Sequence, residues 1–347
     1  MRTYKLDFEV GHGCNFRCKY CFEQYGQPNY ADVAMPYEIA DRGVQYARHV
    51  IEKLPDDSRL VVCFFGGEPL LYIDTVVRVV EDLQSEVSFT IVTNGSLIET
   101  NADTLLHLKS LVGNSLRICV SYDYSMQDSN RQPGTYDSVR DGIRWLCHNG
   151  FKTSTITVFT EDGLTQADTI FLDYLVLRRE CSDLEMIINT VHGNGLKSID
   201  ESKARETLGK VKLQIKRSNS LEKVRYNAGC GYRGERYPGC VFGRVYAGIN
   251  TNGDLYPGYS VIHNDEITRK AMYLGNINED FAVLDKKRDD LISSLNYDIG
   301  EECRDCGTPC QLLPWNTIQT GAEEFNAMPD ENHCRIHKLV KKYLPHE

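Results

Sequence analysis

No run of apolar residues in this chain approaches the ~20 that an apolar helix needs to cross a bilayer. The opening residues, MRTYKLDFEV, lack the charged-then-apolar pattern and small-residue cleavage site of a secretory signal. The expected location is therefore the cytoplasm, with no membrane association. Positive charge is in deficit, with 39 Lys and Arg against 49 Asp and Glu and a net charge of −10. That balance weighs against nucleic acid and acidic membranes as partners, and allows a cationic ligand or a basic peptide. Low-complexity tracts are missing, and so are repeats beyond a strand–helix alternation. What remains is ordinary globular material, 41% hydrophobic and 25% charged over 347 residues. That is enough for a sizeable core and for two domains, or one with an appendage.

Cysteine is the exception, at 13 residues. In a reducing compartment, clustered cysteines signal metal more often than disulfides. They cluster at Cys14, Cys18 and Cys21, at Cys230 and Cys240, at Cys303, Cys306 and Cys310, and at Cys334. Cys63, Cys119, Cys147 and Cys181 are scattered among strand-like or helix-like neighbours and read as buried small hydrophobes.

The first 200 residues alternate strand and helix. Strands are expected at 5–10, 60–65, 89–92, 116–123, 154–159 and 186–191. The run LVVCFF (60–65) has the continuous apolar character of a strand buried on both faces. Helical spacing follows each strand: over 35–54, from Ile73 to Leu83, over 101–112, around Val139, Ile143 and Leu146, over 170–175 and over 201–215. Six such units imply a parallel sheet, because each crossover needs a helix. The fold class is α/β, as an open sheet or a barrel, and in both ligands sit at the carboxyl ends of the strands. Near residue 220 the alternation stops. Residues 228–334 are rich in Gly, Cys and turns, with a hairpin expected around Asn252-Gly253 and helices near 284–295 and 335–344. This predicts two domains, 1–220 and 221–347, the second having little apolar sequence and using metal as a cross-link.

The loops after the strands carry the chemistry. Cys14-x3-Cys18-x2-Cys21 follows the first strand. It fits a zinc site poorly, although His12 is available as a fourth ligand. An iron–sulfur cluster on three thiolates leaves one iron open to a small chelating molecule, and the loop's place on the ligand-binding edge favours that reading. Gly66-Gly67 after the second strand permits close backbone approach, and Glu68 brings a carboxylate suited to an ammonium group. Thr93-Asn94 and Ser121-Tyr122-Asp123 add polar groups at the same edge.

The three cysteines, with Tyr20 before the last of them, and Gly66-Gly67-Glu68-Pro69 after strand two resemble the radical S-adenosylmethionine (radical SAM) superfamily. The resemblance implies a partial (β/α)6 barrel with Cys14, Cys18 and Cys21 on a [4Fe-4S] cluster whose open iron is chelated by SAM. It implies Gly66, Gly67 and Glu68 at the SAM amino group, Tyr20 near the adenine, and Thr93 and Asn94 lining the site. Ser121 and Arg131 would meet the ribose and carboxylate, and Asp123 would point toward substrate. A capping or surface pair is the competing account of Asp123 and Arg131.

The later cysteines resemble a SPASM extension, which usually holds two auxiliary [4Fe-4S] clusters, possibly in the shortened twitch form. Against that pattern, the positions of two expected cysteines are occupied by Gly258 and Pro314. Cys303, Cys306, Cys310 and Cys334 would still make one complete auxiliary cluster, or alternatively a zinc site. Cys230 and Cys240 would hold a cluster with other ligands, hold nothing, or leave Cys240 as a hydrogen-atom donor. The resemblance implies a peptide substrate, as in maturation of a ribosomally made peptide by cross-linking, epimerisation or backbone excision. Sulfatase-type formylglycine formation, a small-molecule dehydrogenase and a non-catalytic iron–sulfur scaffold are the alternatives. Only thirteen residues precede Cys14, so a separate leader-binding protein is an expected partner, beside an electron donor such as flavodoxin or ferredoxin.

Overall fold

The computed structural model describes residues 2–21, 32–190, 199–226, 245–258, 266–294 and 331–345. The first strand, β1 (Arg2–Glu9), is exposed at its start, and its last four residues are buried. The next, β2 (Ser58–Phe65), is buried over Leu60–Phe64, as its unbroken apolar run requires. Between them, α1 (Tyr37–Lys53) starts after Pro36 and buries Ala40, Val44, Ala47 and Val50. Gly43 lets α1 close on β1, since a Cβ there would stand 2.5 Å from the Phe8 ring. Helix α2 (Ile73–Leu83), β3 (Ser88–Thr93), α3 (Ala102–Val112) and β4 (Leu116–Ser121) continue the alternation. They are followed by the short α4 (Gln127–Asn130), α5 (Tyr136–His148), β5 (Lys152–Phe159), α6 (Glu161–Thr165), α7 (Ala167–Glu180), β6 (Glu185–Thr190) and α8 (Glu201–Arg217). Each fully buried Val, Leu, Ile or Phe contributes about 1.5–3 kcal/mol. Phe8, Phe64 and Phe89 form an aromatic row across the first three strands, with neighbouring centroids 6.1 and 6.2 Å apart.

Strands β1 to β6 pair in parallel and in sequence order, and with their helices they form the expected partial (β/α)6 barrel arrangement. Two features extend it. The three-residue strand β7 (Val224–Tyr226) continues the parallel order beyond β6. On the opposite side, β8 (Val245–Ile249) pairs in parallel with β1, and β9 (Asp254–Tyr256) pairs antiparallel with β8. The Asn252-Gly253 hairpin thus forms, with Gly253 at φ 89°, and it belongs to the same sheet as the βα units. After α9 (Glu266–Ala271), β10 (Gly275–Asn276) closes the sheet order β10-β9-β8-β1-β2-β3-β4-β5-β6-β7. Helix α10 (Phe281–Ser294) follows, and α11 (Glu331–Tyr343) packs on α8. Among the described residues, no helix is long and apolar enough to cross a membrane.

Candidate active site at the carboxyl edge of the sheet

The loop after β1 is fastened from two sides. Gly67 N donates to Gly11 O at 3.0 Å, and Glu68 N donates to Gly13 O at 2.8 Å. The Tyr72 hydroxyl accepts from Gly13 N at 2.6 Å and donates to Asp32. Gly66 and Gly67 are required by this backbone contact. Gly66 sits at φ 142°, and a Cβ there would meet Gly11 O at 2.3 Å. A Cβ on Gly67 would meet Gly13 O at the same distance. The glycines therefore bring the second loop against the first.

Glu68 is fully buried. Its Oε1 accepts from Leu70 N at 3.0 Å and from the Thr93 hydroxyl at 2.6 Å, and its Oε2 accepts from Asn94 N at 2.6 Å. Burial pushes the carboxyl up, the three donors partly oppose this, and the result is a pKa of about 7. The side chain joins the second and third loops. Asn94 then reaches the cysteine loop, its Nδ2 donating to Asn15 Oδ1 at 2.8 Å and lying 4.0 Å from Cys14 Sγ. Thr93 and Asn94 are buried, and Ser121 is half-buried at the end of β4.

Across the site, Tyr20 donates its hydroxyl to Asp123 Oδ2 at 2.5 Å. Arg131 donates to Asp123 Oδ1 at 3.2 Å, and its guanidinium lies 5.3 Å from the Tyr20 ring centroid. Asp123 and Arg131 are both buried, so they are not a surface pair. Burial disfavours the charged arginine, but Asp123 and its other neighbours outweigh this and raise its pKa. Arg131 also lies beside Cys18, where burial raises the thiol and the arginine opposes it.

Cys14, Cys18 and Cys21 are half-buried thiols on this one loop. Burial pushes Cys14 up to about 12, with Glu68, Cys18 and Cys21 adding to the shift. Metal must therefore displace protons to bind here. Among the described residues, no three His, Cys, Asp or Glu side chains converge on a single ion. A [4Fe-4S] cluster asks for something else, one thiolate for each of three separate irons. A second observation also fits a ligand at this edge: Arg131 Nε is buried without a hydrogen-bond partner. Cys230, Cys240, Cys303, Cys306 and Cys310 lie outside the described residues, and Cys334 lies on α11, its side chain outside them.

The structure adds residues that the sequence did not single out. Glu9, fully buried at the end of β1, accepts from Thr251 N at 3.4 Å. His12, which the sequence offered as a fourth metal ligand, instead has its Nε2 3.4 Å from Glu9 and 3.1 Å from the Thr251 hydroxyl. The β8–β9 turn thereby touches the base of the cysteine loop. The available signal was an acidic residue at the carboxyl end of the first strand. Gln127 is a further addition, its Oε1 accepting from Asp123 N at 3.0 Å.

Residues 8–171 match the family model described as the radical SAM superfamily. The chain is 28% identical over 157 residues to the radical SAM cyclopropyl synthase TigE of Paramaledivibacter caminithermalis, covering 41% of this chain and 31% of TigE. It is 29% identical over 97 residues to an S-adenosylmethionine-dependent nucleotide dehydratase of Selenomonas ruminantium, covering 28% of this chain and 31% of that protein. Both alignments thus span 31% of the relative's own length. Native anSMEcpe with bound AdoMet and Kp18Cys peptide has a TM-score of 0.70 at 17% identity, over 98% of this chain and 96% of that one. Streptococcus suis SuiB bound to precursor peptide SuiA has a TM-score of 0.68 at 16% identity, over 95% of this chain and 76% of SuiB. At such identities the likeness is one of fold. The match to the radical SAM superfamily thus rests on residues 8–171, and the solved structures show the fold alone.

Proposed function

We propose that this chain is a radical SAM enzyme that takes hydrogen from a peptide, as in the maturation of a ribosomally made peptide by cross-linking, epimerisation or backbone excision. The observation that carries the reading is the sheet edge on which the three-cysteine loop is zipped to Gly66-Gly67-Glu68. When bound, the cluster and SAM would supply reductive cleavage of SAM and a 5′-deoxyadenosyl radical as hydrogen acceptor. Cys14, Cys18 and Cys21 would hold the cluster. Backbone at Gly66 and Gly67, with Thr93, Asn94, Ser121 and Tyr20, would line the SAM pocket, and the spare Arg131 donor suits a carboxylate. Glu68 would hold the pocket's shape from beneath, since both of its oxygens are engaged.

Residues 221–347 would carry the auxiliary cluster on Cys303, Cys306, Cys310 and Cys334, with Cys230 and Cys240 as further ligands or Cys240 as hydrogen-atom donor. A flavodoxin or ferredoxin would supply the electron. The peptide reading draws on SuiB and anSMEcpe, which share the fold and are seen with peptides. A small-molecule substrate is the second reading, favoured by the similarity to the nucleotide dehydratase. The discriminating experiment incubates reduced, reconstituted protein and SAM with peptides encoded beside its gene, and reads peptide mass. A mass change that tracks 5′-deoxyadenosine supports the peptide reading. Unchanged peptides, beside turnover of a nucleotide or other small molecule, would overturn it.

A further inference from the structure

We propose that Asp123 is a positioning residue for the cysteine loop: with Arg131 it holds Tyr20, and through Tyr20 the Cys18–Cys21 turn, in the arrangement that presents the thiols. Proton transfer to a substrate-facing carboxylate needs an oxygen within hydrogen-bond reach of substrate. Asp123 is fully buried, and both of its oxygens already accept from protein donors. Oδ2 takes the Tyr20 hydroxyl, and Oδ1 takes both Arg131 and Val158 N, the latter at 2.9 Å. Its own N–H is held by Gln127, so its backbone is fixed as well.

Tyr20 lies between Cys18 and Cys21, whose backbones close a turn through Cys21 N and Cys18 O at 3.2 Å. Lys19 N donates to Asn130 O at 2.9 Å, one residue before Arg131. Residues 18–21 are thus tied to the region after β4 by one backbone bond and by the Tyr20–Asp123–Arg131 cluster. A buried carboxylate is tolerated where a cation and further donors compensate it, and removing it strands the cation. Truncating Asp123 therefore frees Tyr20 and leaves Arg131 uncompensated beside Cys18.

The first test needs no cluster. In metal-free, reduced protein, iodoacetamide alkylation is followed at each cysteine by mass spectrometry. Tyr20→Phe and Asp123→Ala should each speed alkylation of Cys18 and Cys21 by about fivefold, the factor that one buried hydrogen bond represents. The double variant should add little to either single variant, because both remove the same interaction. Buried Cys63 reports general loosening and should keep its wild-type rate. Unchanged Cys18 and Cys21 rates in Tyr20→Phe would overturn the proposal, and that variant decides the matter if Asp123→Ala fails to fold. A parallel rise at Cys63 would overturn it too.

The second test rests on the radical SAM reading. In reconstituted protein, Tyr20→Phe should shift the electron paramagnetic resonance signal of the reduced cluster with SAM. Asp123→Ala with an unchanged signal, normal SAM cleavage and no product would make Asp123 a proton acceptor instead. Wild-type protein without a SAM-responsive cluster would sink the radical SAM reading and leave the alkylation result standing.

Discussion

Glu68 shows how one side chain can serve a site without facing it. Three donors converge on a carboxylate that has no exposed surface. Glu68→Gln places an amide donor opposite either Asn94 N or the Leu70 and Thr93 donors. It should cost about 1–3 kcal/mol, the penalty of a buried donor left without an acceptor, read as a lower urea midpoint of the metal-free protein. The carboxyl's folded pKa of about 7 lies above its ordinary 4.5. Protonation therefore favours the folded state: the contribution is complete below the unfolded pKa and is lost as pH rises through the folded one. The wild-type advantage over Glu68→Gln should be larger at about pH 5 than at about pH 8. An equal advantage at both would mean that the carboxyl is not raised. The Gly66-Gly67-Glu68 run was legible in the sequence as the loop that follows the second strand. Its packing against Gly11 and Gly13 was not, because residue type does not reveal which backbone a loop will meet.

At the scale of elements, periodicity made the six βα units legible, since long buried strands and amphipathic helices repeat their pattern many times. Strand β7 escaped because three residues have no period to read. The hairpin was legible from Asn252-Gly253. Its place beside β1 was not, because that pairing joins residues some 240 positions apart, and nothing local encodes it. Side chains from α10 reinforce the attachment. Asp285 accepts from Lys53, from Tyr246 at 3.0 Å, and lies 2.8 Å from His49 Nε2, so α10 is pinned to α1 and β8. Burial pushes this carboxyl up, but Lys53, His49 and Tyr246 outweigh burial and hold it below the ordinary range. Here deprotonation favours folding, so the contribution is complete above about pH 4 and is lost as pH falls through the folded pKa. Asp285→Ala should destabilise by about 1–3 kcal/mol, less than a wholly buried pair because Lys53 is half-exposed. Thermal melting at neutral pH checks the loss, and the difference from wild type should shrink in acid. A melting temperature unaltered by Asp285→Ala would show that α10 is held by its apolar contacts alone.

At the scale of the whole molecule, an acidic, cysteine-rich chain folds into a sheet whose carboxyl edge carries a three-thiol loop. If residues 221–347 hold one complete auxiliary cluster, anaerobic reconstitution should give about eight iron per chain. Replacing Cys303 and Cys306 by Ala should lower this to about four, and replacing Cys14, Cys18 and Cys21 should remove the other four. About twelve iron in the wild type would mean that Cys230 and Cys240 complete a further cluster. The most direct measurement is chromatographic detection of 5′-deoxyadenosine and methionine from SAM, using reduced, reconstituted protein. Both should form with wild type, and neither should form when Cys14, Cys18 and Cys21 are replaced by Ala. A wild-type protein that holds its three-cysteine cluster, is reduced, and leaves SAM intact would contradict the radical SAM reading.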